Sequence, residues 1–373
     1  MTNIKKRRRE NLSFDEYSYL LNNKLITLFL RDSSSLDENE KIFIKQSYFK
    51  HGKEGILKLV TDNQILPFAS HILRELDCDY HYWDSIHQKY IVRNTEIKSI
   101  VNNVFYEFNN FGCKSPTLTE NFAVVLSSNS CIGCFCSGDV DISADIKEIN
   151  KITECLNSIG FQSKEQPEKI GEYSGQSMQF YNKNLLENGF WINVIWKPVT
   201  RAFLVQDAYD LRLSKARLNA ILVPNTDIRI LDDDSLMYFC ALHISAGHYF
   251  TLTPGTRLHV DIDRLTRAKN INWQRIIEWE KQDNAGIRIS TTLYISSQIL
   301  KTPIPKLSYK KAFKNFRNKV LVKYLINQDN IIQHKSSLLR RLYIELASDD
   351  KNLFLNFMQR AFNTFYQKAI LNK

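Results

Sequence analysis

Most of the chain has apolar residues at helical spacing, so that positions three or four apart fall on one face. Before residue 112 this spacing predicts a succession of helices, at residues 37–51, 52–61, 65–76 and 80–111. An earlier helix is indicated from Ser13, which has the form of a capping box with Glu16, to Leu30. The first third of the chain is therefore predicted to be a helical layer that leads into a different kind of structure.

After residue 112 the pattern changes to short apolar runs separated by turns, which is typical of a small sheet. Residues 122–126 form an apolar run of strand length with two adjacent valines, and the run stops at Ser127-Ser128, where we expect a tight polar turn. Further strands are predicted at residues 139–142, 176–181 and 190–196, and an amphipathic helix at 145–159.

Helical spacing returns in the last part of the chain. Two short strand-like runs, Ala220–Val223 and Ile228–Leu231, precede three consecutive acids at 232–234. We interpret these acids as the start of a helix rather than a metal cluster, because negative charge is favourable at a helix N-terminus. Further helices are predicted at residues 273–300, 307–326, 336–346 and 350–370.

These elements predict an α+β fold with three regions: a helical N-terminal region with a basic tail (1–111), a small mixed sheet core (112–205) and a helical C-terminal region (206–373). The composition, 43% hydrophobic and 24% charged, is that of an ordinary globular protein. No apolar run approaches the roughly 20 residues of a membrane span, and the basic N-terminus leads into polar sequence rather than a signal-peptide core. We therefore expect a cytoplasmic protein with no membrane partner.

The seven cysteines are odd in number and unevenly spaced, which favours a reduced compartment over a disulfide framework. Three of them, Cys131, Cys134 and Cys136, are clustered, and Cys113 is near, a grouping compatible with a zinc site. Since no histidine lies close in sequence, we favour small side chains that line a turn.

A net charge of +10 and a pI of about 9.1 favour anionic partners such as nucleotides or RNA. Lysines and arginines are dense between Lys301 and Lys323, where Tyr309, Phe313 and Phe316 are interleaved with them. That pattern is compatible with a nucleic-acid surface. The interpretation we favour is an amphipathic helix with a solvated basic face.

The clearest chemical signal is the run Asp139-Val140-Asp141-Ile142. Because side chains alternate across a strand, the two aspartates project from one face while the apolar pair packs on the other. Two acids on one face repel each other, and a divalent cation such as Mg²⁺ relieves that repulsion when it is shared with substrate phosphates.

A strand, a small-residue pair, a spacer and then Asp-x-Asp is a layout that resembles the nucleotidyltransferase superfamily, with its polymerase-beta-like fold. The resemblance is closest to the branch of uncharacterised nucleotidyltransferases found in bacterial biosynthetic and accessory gene neighbourhoods. It implies that Ser127 and Ser128 bind the phosphates of a nucleotide and that Asp139 and Asp141 bind Mg²⁺ or Mn²⁺ and act in catalysis.

The third acid of the superfamily is replaced in this chain. The branch opens a motif of acid, leucine, histidine and tryptophan on a later strand, and the corresponding run here is Asn193-Val-Ile-Trp196. Asn193, the third predicted catalytic residue, offers a neutral oxygen that can coordinate a cation but cannot take a proton from an attacking hydroxyl. Either the acceptor needs little deprotonation or the chain is a weakened member, unless Glu172, Glu187 or Asp145 substitutes in space.

A second stretch, residues 242–265, also resembles the branch, which carries a Leu-His helix, a second histidine and an Arg/Leu…Asp segment. His243 and His248 are five residues apart, so they do not share a helical face. We interpret His243 as a packing residue that hydrogen-bonds Asp261 or Asp263. These three side chains are expected to hold the residues of the site in place without contacting the substrate. Contact with base or ribose is the alternative for four residues of this stretch: Arg257, His259, Asp261 and Asp263.

The resemblance also implies a basic residue on the long helix before the core, a place that Arg93 occupies. It could reach phosphate, and an exposed helix face is the assignment we favour.

The resemblance implies a metal-dependent transfer of a nucleoside monophosphate from a nucleoside triphosphate, with ATP favoured, to an acceptor, with release of pyrophosphate. By analogy with the branch we prefer a tailoring or accessory enzyme whose acceptor is a peptide, an antibiotic or another small metabolite. Two alternatives stay open. One is a toxin-like nucleotidyltransferase that modifies tRNA or another RNA, and the other is a non-catalytic nucleotide-binding or scaffold protein, which Asn193 motivates.

Overall fold

The structure is a computed structural model that describes residues 24–163, 177–197, 205–248, 250, 255–314 and 316–326. Several sequence predictions lie outside the described residues: the basic tail, the capping box at Ser13, Glu172, and the helices at 336–346 and 350–370.

The N-terminal region is helical, as predicted. Residues 24–29 are helical and are followed by α1 (Glu38–Asp62), α2 (Leu66–Glu75) and α3 (Tyr80–Asn110). Gly52 interrupts α1 with a φ of 67°, which explains why the pattern predicted two helices in this segment. Asp37 begins α1 with a capping box to Glu40.

One mixed sheet of six strands forms the centre of the fold, and the prediction of an α+β fold is confirmed. The strands are β1 (Thr117–Thr119), β2 (Asp139–Ser143), β3 (Ser177–Asn182), β4 (Phe190–Ile195), β5 (Ile221–Leu222) and β6 (Arg229–Ile230). Their order across the sheet is β3-β4-β2-β1-β6-β5. β2 runs parallel to β4 and antiparallel to β1, which places it near the middle. The predicted hairpin is present as β3 and β4.

The predicted first strand at residues 122–126 is wrong. The strand is β1, which ends at Thr119, and the apolar run belongs to helix α4 (Glu120–Ser128). Phe122, Ala123 and Val124 are all buried, so α4 is apolar on every side. A short run of this kind has no polar face, and periodicity therefore cannot distinguish it from a buried strand.

Helices cover the sheet and complete the fold. Helix α5 (Ile149–Ser158) follows β2, as predicted, and α6 (Gln206–Leu218) precedes β5. The remaining helices in the described part of the chain are α7 (Asp233–Leu242), α8 (His259–Ala268), α9 (Trp273–Gln282), α10 (Gly286–Ile299) and α11 (Phe316–Ile326). Short 3-10 segments lie at Ser33–Ser35, Ile132–Cys134, Ile146–Glu148, Gly255–Leu258 and Lys306–Phe313, and a π-helical turn at His243–Gly247.

The acidic run at 232–234 lies at the start of a helix, as interpreted, and it also forms ion pairs. The Asp232 carboxylate accepts from Ser235 N at 3.2 Å and so caps α7. Asp234 accepts from Arg275 at 3.1 Å, and Asp233 accepts from the Ser127 hydroxyl at 2.7 Å. The three carboxylates therefore have local partners.

The basic segment after residue 300 uses its aromatic side chains for packing. Tyr309 and Phe313 lie against Tyr294 of α10, with ring centroids 5.4 and 4.6 Å apart. Lys311 forms an ion pair of 2.8 Å with Glu280, while Phe316 stays exposed. The arrangement agrees with the amphipathic interpretation, although the segment is a 3-10 helix followed by α11 rather than one helix.

Two apolar clusters form the interior of the described residues. The larger surrounds the sheet. The smaller joins the N-terminal helices to Val260 of α8 and to Leu300, which follows α10, and Cys134 is among its members. Among the described residues, no helix has both the length and the apolar character needed to cross a membrane.

Candidate functional site

Strand β2 presents its two aspartates on one face, as predicted. Asp139 and Asp141 are half-buried, while Val140 and Ile142 between and after them are buried. Asp141 lies opposite Asn193 in the parallel register of β2 and β4. The sheet therefore brings Asn193 beside two aspartates that lie more than fifty residues before it in the sequence.

The Asn193 amide bridges the two carboxylates. Its Nδ2 donates to Asp139 Oδ2 at 2.7 Å and to Asp141 Oδ1 at 3.0 Å. Its Oδ1 is buried and has no hydrogen-bond partner among the described residues. Hydrogen bonds from a neutral amide only partly offset the repulsion between two carboxylates, so the pair stays electrostatically unfavourable.

A third carboxylate lies beside the pair, and it was missed at the sequence level. Glu120 is the first residue of α4, is 7% exposed and has a φ of 60°. A left-handed backbone is costly for a residue with a side chain, and such positions cluster at functional sites. Glu120 interacts with Asp141 and accepts from His243 Nδ1 at 2.9 Å.

Two histidines continue this arrangement toward the surface. His243 opens the π-helical turn after α7, and its Nε2 shares a hydrogen bond of 2.8 Å with His248 Nε2. A π turn places residues five apart on one side, so the ring centroids are 4.6 Å apart. The carboxylate that His243 contacts is Glu120, not Asp261 or Asp263 as predicted.

Burial and charge shift the pKa values of these groups in opposite directions. Burial raises the pKa of Asp141, and the Glu120 carboxylate adds to this, so the pKa reaches about 8. Burial alone would lower the pKa of His243, but the Glu120 carboxylate outweighs it and the pKa rises to about 9. Burial alone would raise the pKa of Glu120, but the positive charge of His243 outweighs this effect, so the pKa of Glu120 is lowered. The acidic side chains of the site thus outnumber the cationic side chains that could balance them.

The metal-free protein is expected to lose stability as the pH rises from about 6.5 to about 9. An unfolded histidine titrates near the ordinary pKa of about 6.5, and His243 in the fold titrates at about 9. Between these two pKa values the folded chain binds one more proton than the unfolded chain. The contribution of His243 to the free energy of unfolding is therefore complete below about pH 6.5 and is lost as the pH rises through about 9. Besides Glu120, the groups that face His243 are Asp141, Asp261 and His248. Asp141 acts in the same direction up to about pH 8.

Thermal denaturation in the presence of a chelator, followed across this pH range, measures the effect. His243→Gln should give a flatter profile, and a wild-type profile as flat as that of the variant would contradict the assignment.

A small cleft adjoins the carboxylates on the side of α8. Its lining includes Asn121, Ser137, Arg257, Asp261 and Arg264. Ser137 donates to Asp139 Oδ1 at 2.6 Å, so the cleft is continuous with the acid pair. Burial raises the pKa of Asp261 to about 7, against the lowering effect of Arg264. The cleft combines two guanidinium groups with backbone near the start of α4, a combination suited to phosphate.

The two serines of the predicted phosphate turn lie at the other end of α4. Ser127 donates to Asp233, and Ser128 donates to the Val124 carbonyl at 2.6 Å inside the helix. The expected tight turn is therefore absent from this position, because residues 120–128 are helical. Their contact with nucleotide stays a prediction.

Two other residues of the stretch 242–265, His259 and Asp263, form contacts away from the acid pair. His259 is fully buried, its Nδ1 lies 2.7 Å from Ser296 Oγ, and burial lowers its pKa to about 3. Asp263 is buried between Arg267 at 2.9 Å and the Thr302 hydroxyl at 2.7 Å. These positions correct the alternative that His259 and Asp263 contact base or ribose.

Arg93 is not on an exposed helix face, which corrects that assignment. It is half-buried and donates to the Ser137 carbonyl at 2.9 Å, so it fixes the segment that leads into β2. Of the acids suggested as substitutes for residue 193, Asp145 caps the 3-10 turn through Lys147 N, and Glu187 is exposed in the β3–β4 loop.

Comparison with known proteins gives one result. The family model described as "Uncharacterised nucleotidyltransferase" matches residues 51–298. No curated protein and no solved structure matches the chain. The matched segment begins within α1, ends within α10 and contains every residue of the site described above.

Proposed function

Because the chain belongs to the family of uncharacterised nucleotidyltransferases, we propose that it transfers a nucleoside monophosphate from a nucleoside triphosphate to an acceptor, releases pyrophosphate and requires a divalent cation. The observation that carries the proposal is the contact of the Asn193 amide with both Asp139 and Asp141, with Glu120 beside them. Nucleotidyl transfer requires the protein to position the reactants and to place charges, and it does not require a covalent bond between protein and substrate.

The residues present fit Mg²⁺ or Mn²⁺. Mg²⁺ is usually held by one or two carboxylates and completes its ligands with water and substrate phosphates, so Asp139 and Asp141 suffice. The buried Oδ1 of Asn193 lacks a partner among the described residues, and rotation of the amide would turn this oxygen toward the carboxylates. When bound, the cation would neutralise charge on the triphosphate and the acids.

Glu120 supplies the third carboxylate that residue 193 lacks. It lies beside Asp141, it is held by His243 at 2.9 Å, and its backbone stays in a costly conformation. The ion pair keeps Glu120 ionised at neutral pH, since its pKa is lowered. An ionised carboxylate beside the acid pair orients the acceptor hydroxyl and accepts its proton, a role that an asparagine cannot perform.

We place the first contacts of the triphosphate with the protein at the cleft at the start of α4. Arg257, which donates to Cys136 Sγ at 3.3 Å, and Arg264 line this cleft together with Ser137. Guanidinium groups pair strongly with phosphate oxygens, and a helix N-terminus adds further N–H donors. The start of α4 is thus a second candidate for phosphate contact, besides the predicted pair Ser127-Ser128 at its end.

ATP is the donor we favour, and the acceptor we favour is a peptide or a small molecule, on the analogy with biosynthetic and accessory members of the branch. The net charge of +10 supports RNA as the alternative acceptor. A steep fall of RNA binding with salt, together with transfer of label to RNA, would favour that alternative. Nucleotide binding without turnover on any acceptor would instead indicate a nucleotide-binding or scaffold protein.

The proposal predicts that one nucleoside triphosphate binds only in the presence of Mg²⁺ or Mn²⁺. Isothermal titration calorimetry with ATP, GTP, CTP and UTP, each with and without the cation, tests this and identifies the donor. Arg257→Gln is expected to weaken binding by roughly tenfold or more, because a charge-assisted contact to phosphate is worth about 1.5–3 kcal/mol.

Lys281→Gln is the matched control, because Lys281 is an exposed cation in the last turn of α9 and leaves the cleft unchanged. Circular dichroism establishes that both variants fold. Binding that is independent of the cation, or an absence of binding for all four nucleotides, would contradict the proposal.

A further inference from the structure

A second group of potential ligands lies behind the site, where two helices meet the segment that leads into β2. His71 of α2, His87 of α3 and the pair Cys131 and Cys134 each offer one ligand atom, and these four atoms lie within 4.8 Å of one another. Among the described residues this is the one group of three or more His, Cys, Asp and Glu side chains that converges so closely. The clustered cysteines were visible in the sequence, but their histidine partners were not, because the histidines are more than forty residues before the cysteines.

The geometry suits a tetrahedral ion. Zinc binds cysteine sulfur at about 2.3 Å and histidine nitrogen at about 2.0–2.1 Å, so neighbouring ligand atoms in a tetrahedral site are about 3.3–3.8 Å apart. His87 Nε2 and Cys131 Sγ are 3.3 Å apart, and the rings of His71 and His87 are 4.9 Å apart between centroids. A small inward movement of the remaining atoms completes the coordination.

The backbone around the cysteines is shaped for the histidine. A Cβ atom on Gly133, which lies between the two cysteines, would come within 2.6 Å of His87 Cε1, so only glycine leaves room for the ring. Asn94 of α3 is fully buried and donates to the carbonyls of Ile132 and Phe135 at 2.7 and 2.9 Å. The turn that carries the cysteines is therefore fixed on the helix that carries His87.

The groups around the ligands also match those of metal sites. Ser70 Oγ lies 3.5 Å from His87 Nδ1, and Glu75 Oε1 lies 3.1 Å from His71 Nε2. Metal-bound histidines use their other ring nitrogen in this way, which fixes the ring orientation. His71, Cys131 and Cys134 line a cavity of about 280 Å³, which provides a path for an ion to enter.

We propose that His71, His87, Cys131 and Cys134 bind one Zn²⁺ ion that fastens α2 and α3 to the segment leading into β2. Two thiolates and two imidazoles in a closed group of four are the ligand set of structural zinc, and softer ligands than carboxylates disfavour Mg²⁺ and Ca²⁺. The ion has no open position for substrate, so it acts on structure. Asp139 follows Cys134 by five positions, and the zinc site thus sets where β2 begins.

Metal analysis of the purified full-length chain tests this inference and does not depend on enzymatic activity. The wild type is expected to contain about one zinc per chain. Cys131→Ser and His87→Gln should each lose most of it, while Cys136→Ser and His81→Gln should retain it. The two controls change the same residue types on the same loop and the same helix, outside the group of four.

Substitution with Co²⁺ provides a measurement on the wild type alone, in case the ligand variants do not fold. A tetrahedral cobalt spectrum with thiolate charge-transfer bands is expected, and a chelator should expose two additional reactive thiols. Three results would each overturn the proposal. They are a dissociation constant for zinc above about 1 μM, equal zinc content in the ligand and control variants, and a disulfide between Cys131 and Cys134 in place of metal.

Discussion

Asp139→Asn and Asp141→Asn are each expected to reduce nucleotidyl transfer by roughly a thousandfold or more, with the fold intact. The two carboxylates share one face of β2 and would hold the cation that neutralises the triphosphate, and removal of one charge-stabilising group from such a site costs two to three orders of magnitude or more. Asparagine keeps the shape of the side chain but cannot supply the charge. Release of pyrophosphate from the nucleotide that calorimetry identifies is the measurement.

Asp141→Asn is expected to lower activity without lowering thermal stability. Burial and the neighbouring Glu120 carboxylate raise the pKa of Asp141 to about 8, so ionising this carboxyl group is unfavourable when no cation is bound. Asp141→Asn removes that cost, so its melting temperature in a chelator should equal or exceed that of the wild type. Glu154→Gln, an exposed carboxylate on α5, is the control that should change neither quantity. Full activity in both aspartate variants would refute the assignment of the site.

Glu120→Gln is expected to lower the transfer rate by about a hundredfold or more, because the ionised carboxylate beside Asp141 is lost while the shape is kept. Loss of the ion pair with His243 is a separate effect, and His243→Gln measures it with Glu120 still present. The rate of His243→Gln should fall much less than that of Glu120→Gln.

A second substitution makes the test specific. If Glu120 performs the task of the acid that is missing at residue 193, then Asn193→Asp should restore part of the activity of Glu120→Gln. The amide of Asn193 already contacts both aspartates, so a carboxylate there would face the same cation. In the wild-type background the same change adds a further acid to a crowded site and should lower stability in a chelator. Failure of the double variant to regain any activity would argue against the role of Glu120.

Strands β2 to β6 and the acid pair were predictable from local pattern, whereas β1 was not. Alternation places Asp139 and Asp141 on one face whatever the rest of the fold does, and the β3–β4 hairpin is marked by two strand-like runs with a polar loop between them. Helices α1 to α3 were predictable for the same reason, since their apolar stripes are long. Local signals of this kind survive any tertiary arrangement.

The remaining features of the site depend on contacts that no local pattern encodes. Helix α4 is buried on all sides, so its apolar run has the pattern of a strand. Because the run was predicted to be a strand, the turn was expected at its end, Ser127-Ser128, and not at its start, Glu120. The glutamate then looked like an ordinary residue before a strand. A polar pair, Glu120-Asn121, directly before an apolar run was the available signal, because a buried helix must begin at such a place. The pairing of Glu120 with His243 joins residues from distant segments.

The left-handed backbone of Glu120 also bears on how this position tolerates substitution. Glycine adopts a φ of 60° without steric cost, and asparagine does so more readily than most residues, so either would suit the backbone better than glutamate. A library of variants screened only for soluble expression should therefore enrich glycine and asparagine at residue 120. A library screened for turnover should return to glutamate. Position 120 is thus one where foldability and chemistry select different amino acids, and the natural residue is the one that chemistry selects.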